Sequence, residues 1–179
     1  MRKLAAKNPE KLIELLHERL TFERTSVRLY DRVLSLMAAS EDQQILRMLD
    51  TMQGYRDEEA EHQSWLEEQI RALGGDVNRE SERSRLVATE SRGIEQVILR
   101  EGVELQHLFH ALMAAELVDN EGWDLLSALA EEADDDEALD AFLLRQAEEE
   151  DHLDYLRQTI ARYAESQVLG GQLHLPTEP

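Results

Sequence analysis

The chain has 179 residues, of which 42% are hydrophobic, and its formal net charge is −20. This length suits one domain with a sizeable core, and the acidic balance argues against binding nucleic acid or anionic membranes through a basic surface. Cysteine is absent, so disulfides, thiolate catalysis and iron–sulfur ligation are excluded, and any bound metal must be held by oxygen and nitrogen. Neither a membrane-spanning apolar run nor a secretory signal is present, so a soluble, cytoplasmic protein is expected.

Long helices are the predicted elements, because helix-favouring residues dominate and only three prolines occur. The Asn-Pro pair at residues 8–9 predicts an N-cap and the first position of a helix that runs to about Ala38. Ser40 with Gln43 predicts a capping box that opens a second helix. The glycine pair at residues 74–75 predicts the end of this helix.

The second half of the chain repeats this plan after a polar segment. Residues 76–100 show weak apolar periodicity and are predicted to form a long crossover. A third helix is predicted over residues 101–133, and the aspartates at 134–136 predict the cap of a fourth helix that reaches about Ala164.

Short, long and short connections predict two antiparallel helix hairpins joined by a crossover, which is an all-α four-helix bundle. We assign residues 1–170 to this single domain and expect residues 171–179 to form a flexible tail.

The motif Glu-x-x-His places a carboxylate and an imidazole within one helical turn on one face, as metal ligation inside a bundle requires. It occurs four times, whereas chance predicts roughly one copy. The copies Glu59–His62 and Glu149–His152 lie on apolar stripes and are predicted to point into the bundle. The copies Glu14–His17 and Glu104–His107 fall off those stripes and are predicted to face away.

An internal repeat adds two further carboxylates. The segment that contains Glu59 recurs 90 residues later around Glu149, and Glu23 recurs 93 residues later as Glu116, each on an apolar stripe. Each half therefore contributes one lone Glu and one Glu-x-x-His to the same level of the bundle. The predicted metal ligands are Glu23, Glu59, His62, Glu116, Glu149 and His152.

Four buried carboxylates without a cation would cost several kcal/mol each or would need protons, so a pair of metal ions is the expected resolution. Oxygen ligands with two imidazoles favour iron or manganese, or one of each, over zinc. Two such ions roughly 3.5 to 4 Å apart are suited to reaction with oxygen or peroxide, which makes redox chemistry the leading interpretation.

The chain resembles the ferritin-like superfamily, and within it a group of bacterial di-iron or di-manganese carboxylate proteins. The resemblance covers about residues 10–165 and is carried by residues 22–30, 115–123 and 148–153. It implies a ferritin-like fold in which Glu59 and Glu149 bridge the metals. It further implies that Glu23 and Glu116 are terminal ligands and that His62 and His152 give one nitrogen to each metal.

The chain departs from the rubrerythrins, which it resembles more distantly, because it lacks the cysteines of their rubredoxin-type site. Electrons would therefore come from an external donor. In the position of a second acid that rubrerythrin-like helices carry, this chain has Asp119, which is either a seventh ligand or, as we prefer, a residue that supports the ligands. Five more residues near the ligands are candidates for supporting contacts, with packing preferred for the aromatic ones: Tyr30, Tyr55, Asn120, Trp123 and Arg145.

Three functions remain open from the sequence. The first is an oxidoreductase, a ferroxidase or peroxidase-like enzyme whose dimetal centre reacts with oxygen or hydrogen peroxide. The second is iron storage or handling in a larger assembly, and the third is a bundle in which the metals are purely structural. A homo-oligomer is expected, with a dimer favoured.

Overall fold

In the computed structural model, residues 1–176 are described, and their regular structure is entirely helical. The helices are α1 (Pro9–Ala38), α2 (Gln43–Arg47), α3 (Leu49–Ala72), α4 (Glu82–Ile98), α5 (Leu105–Glu132) and α6 (Asp136–Leu169). α1 packs along α3 and α5 packs along α6, so the two predicted hairpins are present, and α1–α5 and α3–α6 contacts close the four-helix bundle. Among residues 1–176, we find no helix whose length and apolar composition would let it cross a lipid bilayer.

Local capping explains where the first helices begin. The Asn8 side chain accepts a hydrogen bond from the backbone N–H of Lys11, as predicted, and α1 ends at Ala38. The predicted second helix begins later than Ser40, because Asp42 is the N-cap and accepts from the N–H of Gln44. This helix is also interrupted at Met48, which divides it into α2 and α3.

The crossover is more ordered than its weak periodicity indicated. Residues 82–98 form α4, which begins at a capping box between Ser81 and Ser84. α4 packs on α1 and α5 and adds a fifth long helix outside the bundle. Only a narrow apolar face is required for such packing, which is why the segment resembled a polar linker.

Glycines in the left-handed conformation mark two boundaries that differ from the prediction. Gly102 has a φ of 68°, and α5 therefore begins at Leu105 rather than at residue 101. Gly170 has a φ of 71° and ends α6, which continues one turn beyond the predicted Ala164.

The predicted tail makes contacts with the bundle. Leu175 is buried, and its N–H donates to the side chain of Gln44, while the Tyr155 hydroxyl donates to the carbonyl of Pro176. The last three residues of the predicted tail, 177–179, lie outside the described residues. The flexibility of this segment stays a prediction.

Two apolar layers fill the interior. One contains Tyr30, Met52, Phe109, Leu112 and Tyr155, and the other contains Leu16, Leu66, Ile70, Trp123 and Phe142. The buried acids and histidines of α1, α3, α5 and α6 lie along the same inward-facing stripes of these helices, between the two apolar layers. A charged cluster is therefore enclosed on both sides by apolar packing.

Candidate metal centre

The structure brings together all six residues that were predicted as ligands. α1 supplies Glu23 and α5 supplies Glu116, and α3 and α6 each supply a Glu-x-x-His pair. None of the six residues is more than 1% exposed. Four carboxyl groups and two imidazoles thus share one buried volume, where unbalanced charges are costly.

These side chains form two overlapping groups, and in each group the candidate ligand atoms lie within 4.8 Å of one another. One group contains Glu23 and His62, and the other contains Glu116 and His152. Glu59 and Glu149 belong to both. The two oxygens of Glu149 divide between the groups, with Oε1 3.0 Å from His62 Nδ1 and Oε2 3.6 Å from His152 Nδ1. Two overlapping buried groups with two shared carboxylates suggest a dimetal site.

Each imidazole is oriented by a carboxylate from the opposite hairpin. His62 Nε2 lies 2.8 Å from Glu148, and His152 Nε2 lies 2.7 Å from Glu58. An ionised carboxylate can only accept, so each Nε2 carries the proton and Nδ1 faces the cluster. The hydrogen bond with His62 lowers the pKa of Glu148, which keeps this acceptor charged.

Sequence reasoning assigned no role to Glu58 and Glu148. The signal was present, because both belong to the internal repeat and precede a predicted ligand by one residue. Their partners lie on another helix, however, and helical periodicity carries no information about contacts between helices.

Replacing Glu148 by Gln is expected to weaken metal binding about 10- to 100-fold, because the charged acceptor behind His62 is lost while the amide keeps its shape. Titration of metal-free protein against a competing chelator measures this affinity. Glu150→Gln is the matched control, since Glu150 is exposed on the same turn of α6. Equal affinities for the two variants would contradict the role of Glu148.

The polar atoms of the cluster lack the partners that buried groups normally have. Both carboxylate oxygens of Glu23, Glu59 and Glu149 have no hydrogen bond in this structure. The same is true of Nδ1 in both histidines. Buried polar atoms are satisfied in most proteins, and these are all metal-ligating atoms aimed at a common volume. The residues therefore fit a pair of cations.

The protonation of the cluster follows from its burial. Burial raises the pKa of Glu59, and burial raises the pKa of Glu116 to about 7. Burial lowers the pKa of His62, but the hydrogen bond to Glu148 and the carboxylates of Glu149 and Glu23 outweigh it and raise that pKa. Without metal, the centre thus holds protons that cations would displace.

The metal-free protein is expected to lose stability as the pH rises from about 4.5 to about 7. Over this window the folded protein keeps a proton on Glu116, whose ordinary pKa is 4.5, while the unfolded chain has released it. The raised folded-state pKa therefore lowers the free energy of unfolding at higher pH, by on the order of 3 kcal/mol for this group.

Urea unfolding of the metal-free protein at about pH 5 and about pH 8 measures this difference. The variant Glu116→Gln cannot titrate at this position and is expected to show a smaller pH dependence than the unmodified protein. An unchanged pH dependence in the variant would contradict the assignment.

Of the predicted supporting residues, Tyr30 touches a ligand directly. Its hydroxyl donates to Glu116 Oε1 at 2.6 Å, so it does more than pack, which was the preferred interpretation. Tyr55 lies against the His152 ring with centroids 4.3 Å apart, and Trp123 meets the His62 ring edge to face at 5.6 Å. These two aromatic residues pack against ligands as expected.

Asp119 is held by a residue that sequence reasoning missed. Arg19 is buried, forms an ion pair with the Asp119 carboxylate and donates to the Asp119 carbonyl at 2.8 Å. Gly122 makes room for this guanidinium, since a Cβ there would lie 2.2 Å from Arg19 Cζ. Asp119 belongs to neither candidate ligand group, in keeping with the supporting role that we preferred.

Within residues 1–176, Asn120 and Arg145 make no hydrogen bond or ion pair with the carboxylates of the cluster. The Asn120 amide approaches the carbonyl of Gln146 on α6 at 3.5 Å. Arg145 stacks over Trp65 at 3.9 Å and donates to the carbonyl of Ala141. Burial lowers the pKa of Arg145, and its carbonyl contact places the guanidinium along α6 rather than in the cluster.

The two remaining Glu-x-x-His copies are outside the cluster, as predicted. His107 is exposed on α5. His17 does not enter the bundle either, but the expectation that its pair faces outward is wrong in one respect. His17 is only 3% exposed, because α4 and the segment before it cover the outer side of α1.

No protein-family model and no curated protein matches this sequence. The structure is similar to a crystal structure from Bacillus anthracis strain Ames described as ferritin-like, diiron-carboxylate proteins. The TM-score is 0.66, with 87% of this chain and 99% of that chain covered, at 16% sequence identity. The chain has the ferritin-like fold.

This confirms the all-α, ferritin-like bundle that the sequence predicted. A likeness at 16% identity shows the ferritin-like fold alone, so ligand roles and activity must be argued from the residues of this chain.

Proposed function

We propose that this ferritin-like protein binds two iron or manganese ions and is an oxidoreductase that reacts with oxygen or hydrogen peroxide. The observation that carries the proposal is the sharing of Glu59 and Glu149 by two buried ligand groups. In the proposed arrangement Glu23 and His62 complete one metal site, and Glu116 and His152 complete the other. When bound, two redox-active ions supply the electrons for reduction of a small oxidant.

The burial of the six proposed ligands supports a small oxidant as the substrate. The six proposed ligands are at most 1% exposed, and a molecule larger than oxygen or peroxide would have to separate the bundle helices. Dry apolar layers on both sides also keep other reactants away.

The surrounding residues provide a hydrogen-bond donor to a proposed ligand and a route for electrons. Burial raises the pKa of Tyr30, so its hydroxyl keeps the proton that it donates to Glu116. The Trp65 ring is partly exposed and lies 6.2 Å from Trp123, which in turn lies 5.6 Å from His62. These aromatic rings connect the cluster to the surface, where an external donor would deliver electrons.

Rapid mixing of the iron-loaded and the manganese-loaded protein with hydrogen peroxide and with oxygen tests the proposal. We expect oxidant consumption and an absorbance change that Glu59→Gln abolishes. If the protein loads two ions but is inert towards both oxidants, the metals are structural and the redox proposal fails. In that case metal removal should lower the melting temperature without loss of any turnover.

A further inference from the structure

A second polar feature lies on the side of α1 away from the metal centre. α1, α4 and the segment between α3 and α4 enclose a groove of about 450 Å³. Although the chain carries a formal charge of −20, the groove wall is basic. It contains five arginines, namely Arg24, Arg28, Arg79, Arg85 and Arg92.

Two of these arginines are held in place by acids. Arg24 lies 2.7 Å from Glu67, and Arg28 lies 2.9 Å from Glu95. These pairs fix the α1 side of the groove. Glu80 also lines the groove and makes no ion pair among residues 1–176.

The other three arginines have no such partner. Arg79, Arg85 and Arg92 make no ion pair and no side-chain hydrogen bond within the described part of the chain. Three guanidinium groups around one groove repel each other, and an anion between them would relieve this repulsion. Arginine carries a planar fork of donors that matches oxyanions.

His17 gives an independent observation at the floor of the same groove. Its side chain is only 3% exposed, and its Nε2 has no hydrogen-bond partner. Burial lowers the pKa of His17, and the charges of Arg24 and Arg79 lower it further against the opposing effect of Asp76. An anion in the groove would favour the imidazolium form of His17, which can donate from Nε2, and a buried polar atom without a partner indicates a missing one.

We propose that this groove binds a small molecule that carries one or more phosphoryl groups. Arg79, Arg85 and Arg92 hold the anion, and His17 donates to it from the groove floor. A phosphoryl group has enough oxygens to accept from several guanidinium groups at once, and the groove volume leaves space for more than one phosphate. A large polyanion is disfavoured, because the surface beyond the groove is acidic. This inference goes beyond the redox function and does not rest on it.

Calorimetric titration of the purified protein with inorganic phosphate, pyrophosphate and ADP at about 0.1 M salt tests the proposal. We expect one binding site per chain. Similar affinities for all three probes would show that free phosphate is sufficient, and tighter binding of ADP would show that the source is a nucleotide. Absence of binding for all three, or tighter binding of citrate than of any of them, would overturn the proposal.

Charge-matched variants separate the groove from the rest of the surface. Replacing Arg79, Arg85 and Arg92 by Gln is expected to weaken binding at least tenfold. Replacing Arg47, Arg157 and Arg162 by Gln makes the same charge change at exposed positions outside the groove and is expected to have little effect.

Equal weakening in both triple variants would mean that only overall charge matters, and the groove would then not be a site. All three groove arginines are exposed, so the fold should survive their replacement.

The single variant Arg92→Gln provides a milder test and is expected to weaken binding about threefold. Since both triple variants retain the metal centre, any chelation of metal by pyrophosphate or ADP affects them alike.

Discussion

Replacing Glu59 or Glu149 by Ala is expected to remove both metal ions, whereas replacing Glu23 or Glu116 by Ala is expected to remove one. The reason is that the first two carboxylates belong to both ligand groups and the other two belong to one group each. Metal analysis of each purified variant after removal of loosely bound ions gives the number of ions per chain.

Two controls separate ligation from folding. Glu104→Ala removes an acid from an exposed Glu-x-x-His and should leave two ions bound. Glu59→Gln keeps the side-chain shape and puts a neutral amide in place of a carboxyl group whose ionised form burial disfavours, so the metal-free variant should be at least as stable as the metal-free parent. A Glu59→Ala variant that still holds one ion with full affinity would show that Glu59 does not bridge.

Replacing Arg19 by Met is expected to destabilise the protein by about 1 to 3 kcal/mol, because it removes both contacts of the guanidinium and leaves the buried Asp119 carboxyl group, whose pKa burial raises, without its partner. Urea unfolding of the metal-free protein measures the loss. Adding Asp119→Asn to this variant should recover part of the stability, since a neutral amide then replaces the acid whose ionisation burial and the carboxylates of Glu23 and Glu149 disfavour. A double variant no more stable than Arg19→Met alone would contradict this explanation.

Two glycine substitutions give an independent test of the contact between Arg19 and Asp119. Gly122→Ala would place a Cβ 2.2 Å from the Arg19 guanidinium and should force it away from Asp119. Gly54→Ala is the matched control, because Gly54 lies within α3 and nothing stands within 4 Å of its added Cβ. The control should stabilise the protein by about 0.5 to 1 kcal/mol, while Gly122→Ala should destabilise it.

Much of the candidate centre could be predicted, because a helix assigns each residue to a face. Glu23 and Glu149 lie among apolar neighbours at helical spacing, and the structure buries both. The repeat at offsets of 90 and 93 residues indicated that the two halves place their acids at one level. The face on which each acid lies and the repeat offset are local properties of the sequence. The folded structure keeps them because each helix buries its own apolar stripe.

The contacts between helices could not be predicted from the sequence. Glu148 contacts His62 on α3 and not its own neighbour His152, and Arg19 contacts Asp119 on α5. Such pairs depend on the relative height and rotation of two packed helices. Periodicity within either helix does not contain that information.

The sequence by itself determined an all-α bundle and the six inward-facing residues, because periodicity and repetition are written along each helix. Tertiary structure alone decided which acids orient the histidines and how the crossover helix α4 buries His17 beside a basic groove. The physical reason is that these features arise where separate helices meet, and their register is set by packing of the whole bundle.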